Sequence, residues 1–409
     1  MQSQGGLSCS SENAIMRDDI LPFSRPSITE DEISEVVAAM RSGWLTTGPR
    51  TEKFEAAIAD YLGAGAQGAG DINVVAVNSG TAALHLAVLA AGLGPGDEVL
   101  TTPLTWPATS NMIMLAGAKP VFVDIDRDTL NMNADLAEAA VTERTRGMLP
   151  VHFAGLTCDM GKLGALAVEH DLAVIEDAAH ALGSACPQGK AGLLGVAGCF
   201  SFHPTKPITT GEGGALVTRD PAIADTARLL GFHGVTRGAR ARATGTAEYE
   251  VAALGFKYNM LDIQAAIGLH QIVRAEDLRR KRERLARMYH EALADLDGDL
   301  LYLPPPTPAG CVHAWHLYVI KLNLDKLDFD RPAFRAALRE RNIATGLHYL
   351  SLHVQPFYER ELGCKPGDFP EALWASDRVV SLPLFADMTD DDLTYVCDAV
   401  REVVQAHAV

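Results

Sequence analysis

The sequence predicts an α/β protein in which a mostly parallel central sheet is covered on both faces and a smaller C-terminal α/β unit follows. Three observations predict it. Short β-branched runs alternate with helical segments from Asn73 to Thr218, the 409 residues exceed one compact core, and new strand-like and helix-like runs begin past residue 300. The expected strands are Asn73–Val77, Glu98–Thr102, Pro120–Val123, Gly147–Val151 and Ala173–Glu176. Between them, Thr81–Ala91, Thr109–Ala116, Asn133–Val141 and Met160–His170 each carry an apolar stripe at helical spacing. Val196–Phe202 and Gly214–Val217 are joined too closely for a crossover helix, which predicts an antiparallel pair or a local departure from the alternation.

Residues 1–20 read as a polar tail without the apolar core of a signal peptide. Residues 21–260 are expected to form the large domain, 261–300 a long connecting helix and 301–409 the small domain. The first part opens with a helix at Glu30–Arg41 and a turn-rich segment, Ser42–Pro49. The basic run Arg279–Arg284 on the connecting helix reads as a solvated face. In the small domain, Leu317–Leu322 is strand-like, while Arg331–Arg341 and Asp390–Gln405 are helical. The polar, Gly/Ala-rich stretch Thr236–Tyr249 reads as a surface loop.

A balance of 35 Lys+Arg against 52 Asp+Glu gives a net charge of -17, which repels phosphate backbones and excludes nucleic acid as the main partner. An anionic small substrate must then be met by local basic or backbone N–H groups. Seven cysteines without CxxC spacing predict reduced thiols, a cytoplasmic location and no metal site. No run reaches the roughly 18 apolar residues of a membrane span, so no membrane association is expected.

Four motifs carry chemistry. Phe200-Ser-Phe-His-Pro-Thr-Lys206 places a lysine in a turn before a double glycine, and burial beside positive charge would make its amine a nucleophile. Val174-Ile-Glu-Asp177 runs an apolar strand into two carboxylates, where the strand ends of open α/β sheets face a ligand crevice. Val77-Asn-Ser-Gly80-Thr81 starts a helix with hydroxyls beside free N–H groups, a cup for phosphate. Thr105-Trp106 follows another strand and offers a flat aromatic face. Each alone has an ordinary meaning: an exposed turn lysine, a helix cap, a capping serine, a half-buried indole. Together they supply an amine, a carboxylate, a phosphate cup and a stacking ring, which is what pyridoxal phosphate needs.

Beyond these motifs, NSGTAALHLA, GPGDEV, PVFVDID, PVHFAG, FSFHPTKPITTGEGG, GFKYNMLDIQAAIG, HAWHLYVI and SLPLF occur in one order. With them, the chain from Leu21 onward resembles the DegT/DnrJ/EryC1/StrS family of sugar aminotransferases, a branch of the fold type I pyridoxal-phosphate enzymes. The resemblance implies pyridoxal 5'-phosphate as cofactor, with the pyridoxamine form as intermediate. It makes Lys206 the Schiff-base lysine and Asp177 the partner of the pyridine nitrogen, and sets His180 beside the phenolic oxygen. It also implies phosphate contacts from Gly80, Thr81 and Ser201, and stacking by Trp106. Asn259 corresponds to a phosphate contact supplied by the neighbouring subunit, which implies a homodimer with shared active sites. Lysine rather than histidine at 206 implies amino transfer rather than dehydration. Pro207 departs from the pattern, which has Asn or Leu there.

Within the family, EDAAHA, the TW pair and GWLTTGP look most like enzymes acting at C4 of a nucleotide-linked keto sugar, such as those forming UDP-4-amino-4-deoxy-L-arabinose. Glutamate is then the expected donor and 2-oxoglutarate the by-product. Thr46, Thr47, His316, His348 and Tyr349 are candidates to touch the sugar or nucleotide, and each has a structural alternative. Arg237, Arg240 and Arg242 could cover a pyrophosphate or be solvated. The competing readings are amination of a C3-keto sugar or a cyclitol ketone, and a non-catalytic regulatory pseudoenzyme.

Overall fold

Seven strands build the main sheet because each turns alternate apolar residues to opposite faces. The computed structural model describes residues 17–63, 72–236, 245 and 248–409. The strands are β1 (Asn73–Val77), β2 (Glu98–Thr101), β3 (Lys119–Phe122), β4 (Thr145–Leu149), β5 (Ala173–Asp177), β8 (Ala197–Ser201) and β9 (Gly214–Thr218). A two-residue hairpin, β6 (Ala185–Cys186) and β7 (Gly189–Lys190), intervenes. The spatial order β1-β9-β8-β5-β4-β2-β3 puts β5 in the middle. The pairs from β8 through β3 are parallel, and β9 runs antiparallel to both its neighbours. The connection from β8 to β9, residues 202–213, contains no helix to carry the chain back across the sheet, and this strand reverses.

The helices before and between these strands are α1 (Glu30–Ser42), α2 (Pro49–Gly63), α3 (Gly80–Ala90), α4 (Pro107–Leu115), α5 (Ala134–Ala139), α6 (Met160–Glu169) and α7 (Pro221–Gly231). Period-two burial sorts the strand residues between two layers. Val75, Val77, Cys199 and Leu216 pack with Leu86 of α3 and Ala227 of α7, while Val74, Ala76, Phe200 and Val217 pack with Phe54 and Ile58 of α2. A helix layer therefore lies on each face.

A second core forms around the antiparallel sheet of β10 (Leu301–Tyr302), β11 (Tyr318–Leu322) and β12 (Val379–Leu382). The expected single helix over 261–300 is two: α8 (Asp262–Val273) and α9 (Ala275–Leu293). They part at Arg274, which caps the first helix and begins the second and whose guanidinium is held by Ser27 and Glu32. Helix α9 joins the two cores, burying Leu278 in the first and Leu285, Tyr289 and Leu293 in the second. The basic run is not a wholly solvated face. Arg279 and Arg282 turn inward at helical spacing, and Arg282 donates to the carbonyls of Leu384 (2.9 Å) and His316 (3.3 Å). Burial pulls its guanidinium down to about 10.

Leu21, placed by sequence at the start of the large domain, belongs to the second core. Its N–H donates to Asn342 O, its carbonyl accepts from Ala344 N–H, and its side chain is buried there. The rest of that unit is α10 (Arg331–Glu340), α11 (Pro356–Leu362), α12 (Pro370–Arg378) and α13 (Asp390–Ala406). Residues 1–16 and the loop arginines Arg237, Arg240 and Arg242 lie outside the described residues. Among those described, no helix is long and apolar enough to cross a membrane, and the six cysteines are free thiols.

Glu176 secures the central strand. It is fully buried, and its carboxylate accepts from the N–H groups of Gly192 (2.7 Å), Leu194 (2.6 Å) and Gly195 (2.9 Å) and from His152 Nε2 (2.9 Å). His152 Nδ1 accepts from Cys158 N–H at 3.2 Å, which leaves the imidazole proton on Nε2 to face Glu176. Glu176→Ala would orphan four buried donors. A loss of about 3–5 kcal/mol in unfolding free energy is expected from urea titration.

Candidate functional site

The carboxyl ends of β1, β2, β4, β5 and β8 open on one cavity of about 460 Å³. Ser79, at the N-cap of α3, accepts from Ala82 N–H with its hydroxyl, so the helix begins with its first N–H groups turned toward the cavity that Gly80 and Thr81 line. The close approach of this helix start to β8 and β9 requires two glycines. A Cβ on Gly80 would lie 2.8 Å from Ser201 Cβ, and one on Gly214 would lie 2.5 Å from Gly80 N. The double glycine after the lysine turn thus makes room for the cup.

Asp177 ends β5 and is buried at 5% exposure. Its carboxylate accepts from Thr109 Oγ1 (2.8 Å) and Ala179 N–H (3.2 Å). Thr109 has one hydroxyl proton and gives it to Asp177, so Thr105 Oγ1, 2.9 Å away, donates to Thr109. Burial raises the Asp177 carboxyl above the usual carboxylate range, opposed by these hydrogen bonds and by Lys206. Lys206 sits in a turn closed by its own N–H to His203 O (2.8 Å). Flanking bonds from Phe202 N–H to Gly213 O and from Thr210 N–H to Phe202 O pin that turn. Its residue surface stays partly open to the cavity, yet its ammonium is surrounded by protein. Burial lowers it to about 8, against the raising charge of Asp177. Pro207 is buried behind it and does not draw the lysine out of the cavity.

Opposite lies a wall of rings. His180 Nδ1 accepts from Ala154 N–H (3.3 Å) and its Nε2 meets Tyr349 Oη (3.0 Å). The proton therefore sits on Nε2 and is donated to Tyr349, whose own hydroxyl proton is left for an acceptor in the cavity. Burial, then Lys206 and His348, hold His180 well below its ordinary value, so the ring is neutral. His348 is likewise down to about 3, through burial, Lys206 and Arg335, and contacts Ser381 Oγ at 2.8 Å.

The fold thus gathers Gly80, Thr81, Trp106, Asp177, His180, Ser201, Lys206, His348 and Tyr349 around one space. Trp106 is 63% exposed rather than a half-buried core indole. His180 lines the cavity, but both its nitrogens are engaged by the protein, so Tyr349 presents the hydroxyl there. His316 does not reach it. It is buried behind His180, ring centroids 4.4 Å apart. Thr47 and Asn259 bond to each other (2.7 Å) and line a separate cavity of about 500 Å³, while Thr46 O accepts from Asp262 N–H. Sequence reasoning missed the Thr105–Thr109 relay, whose signal is two hydroxyls four apart across the start of α4, and it also missed His203 and Glu212.

The arrangement can hold an anion at the cup, protect a carboxylate from solvent and present an amine that is about half neutral near pH 8. Amine-selective labelling of Lys206, followed by peptide mass spectrometry, should show a midpoint near pH 8 rather than the usual ~10.4. In Asp177→Asn it should fall lower still, because a charge that raises it is gone.

The pattern of the DegT/DnrJ/EryC1/StrS aminotransferase family matches residues 26–401. The spore coat polysaccharide biosynthesis protein SpsC of Bacillus subtilis is 44% identical over 392 residues, covering 95% of this chain and 98% of that protein. The structure of S. venezuelae DesV in complex with a ketimine intermediate superposes with a TM-score of 0.84 at 31% identity, over 95% of this chain and 99% of DesV. Helicobacter pylori PseC, an aminotransferase involved in the biosynthesis of pseudoaminic acid, gives 0.85 at 28% identity, over 95% of this chain and 100% of PseC.

Proposed function

Because the chain belongs to the DegT/DnrJ/EryC1/StrS aminotransferase family, we propose that it uses pyridoxal 5'-phosphate to move an amino group from glutamate to C4 of a nucleotide-linked keto sugar. The observation that carries this reading is the pairing, across one cavity, of a lysine lowered to about 8 with a buried, hydrogen-bonded aspartate. The sugar side rests on SpsC and PseC, whose descriptions concern a polysaccharide and pseudoaminic acid. The position on the ring rests on His180, where C3-acting relatives more often carry Gln.

The residues fit the cofactor. The cup at Ser79–Thr81, with Ser201 close enough to exclude any side chain on Gly80, suits a phosphate. Trp106 has an open face for stacking, and Asp177 suits a protonated ring nitrogen. When bound, the cofactor supplies an electron sink for the carbon that loses its proton and a carrier for the amino group.

The remaining work falls to the chain. Lys206, able to change protonation near pH 8, anchors the cofactor and then takes the proton from the amino donor's Cα and returns it. Asp177, oriented by Thr109, holds the proton on the ring nitrogen, and its burial keeps water from weakening that interaction. Tyr349 donates its hydroxyl proton to an oxygen of the bound substrate. Asn259 is read as serving the phosphate of the partner subunit's site, within a homodimer located in the cytoplasm. It faces a cavity other than that of Lys206 in its own chain.

The purified protein should show a visible absorption band that shifts on adding glutamate. A colourless protein that takes up no pyridoxal phosphate would overturn the proposal. Lys206→Arg should lose the shift, and Asp177→Asn should retain colour but turn over at least about a hundredfold more slowly. UDP-, GDP- and dTDP-linked keto sugars assayed beside scyllo-inosose identify the acceptor.

A further inference from the structure

Ala185 and Val312 face each other in an isolated antiparallel bridge, each N–H donating to the other's carbonyl at 3.0 and 2.8 Å. They form a hydrogen-bonded pair at which the bridge stops; carried one residue further, the same register brings Cys186 opposite Cys311 in the non-hydrogen-bonded position. There the Cα atoms of facing residues lie about 4.5 Å apart with side chains on one face. That is within the roughly 4.4–6.8 Å that a disulfide spans. The side chains agree with the register. Both cysteines line one cavity of about 480 Å³, and Cys311 packs on the apolar cluster in which Cys186 is buried. Both are free thiols.

We propose that Cys186 and Cys311 form a dithiol site that a low-molecular-weight disulfide of the glutathione class oxidises to a cross-strand disulfide. Cys311 is the half-exposed member and reacts first. Its thiolate attacks the small disulfide, forming a mixed disulfide and releasing one thiol. Cys186 then attacks the sulfur of Cys311, forming the protein S–S bond and releasing the second thiol. Two S–H bonds are lost from the protein, and their two protons and two electrons leave on the two released thiols. Cys158, in the same cluster, is engaged in a contact from Sγ to Val151 O at 3.2 Å.

The bond would tie the β6–β7 hairpin to the segment that continues into His316. That segment already backs the ring wall, since Ser184 Oγ donates to Gly155 O (2.6 Å) and accepts from Ala314 N–H (3.2 Å). Oxidation would close a loop of more than a hundred residues and so stabilise the fold.

The test uses the full chain, treated natively with oxidised glutathione, blocked with N-ethylmaleimide and digested without reduction. The expected result is loss of two thiols per chain, a linked peptide pair containing Cys186 and Cys311, and a thermal midpoint raised by several degrees and restored by dithiothreitol. Cys311→Ser should abolish both the link and the rise, whereas Cys364→Ser should keep them. Linkage of Cys158 to Cys186, a stable glutathione adduct on Cys311, or no loss of thiols would each overturn the proposal.

Discussion

Two neighbouring carboxylates at the end of the central strand govern this molecule. The pleat sends Glu176 and Asp177 to opposite faces, so one residue serves the architecture and the next serves the cavity. Glu176 is answered by three backbone N–H groups and an imidazole, which binds the 192–195 loop against β5. With the strand end held, Asp177 can be aimed by a single threonine. A buried charge is tolerable only when its partners are fixed, and here the fixed partners of one carboxylate position the other.

The cavity itself is tuned by exclusion of water more than by added charge. Burial is the leading cause of the displaced protonation of Asp177, His180, Lys206 and His348 alike. It pushes the acid up and the bases down, narrowing the gap between proton donors and acceptors. The chain's net charge of -17 has little say at this depth.

Much of this was legible in the sequence, because β-strands write their faces with period two and strand ends face a crevice. Asn73–Val77 and Ala173–Asp177 emerge within a residue of expectation, and Lys206 and Asp177 meet as their local motifs imply. What stayed hidden depends on residues far apart in the chain. Thr109 reaches Asp177 across 68 positions and Tyr349 reaches His180 across 169, and neither leaves a periodic trace. The break at Arg274 was equally silent, since its cause is Ser27 and Glu32, more than 240 positions earlier. Sequence also could not tell that Thr47 and Asn259 would satisfy each other away from the lysine.

The seating of Leu21 beside Ile343 bears on the order in which the chain can assemble. The main sheet is complete by Thr218, but the second core also needs a segment near Arg17, whose carbonyl accepts from Asn342 Nδ2 across 325 positions. During synthesis the early segment must therefore wait, its apolar side chain uncovered, until the last helices have emerged. The sheet is complete once β9 has emerged to pair with β1, whereas the second unit closes later. The ring wall that this unit contributes through His348 and Tyr349 is accordingly among the last parts of the cavity to form.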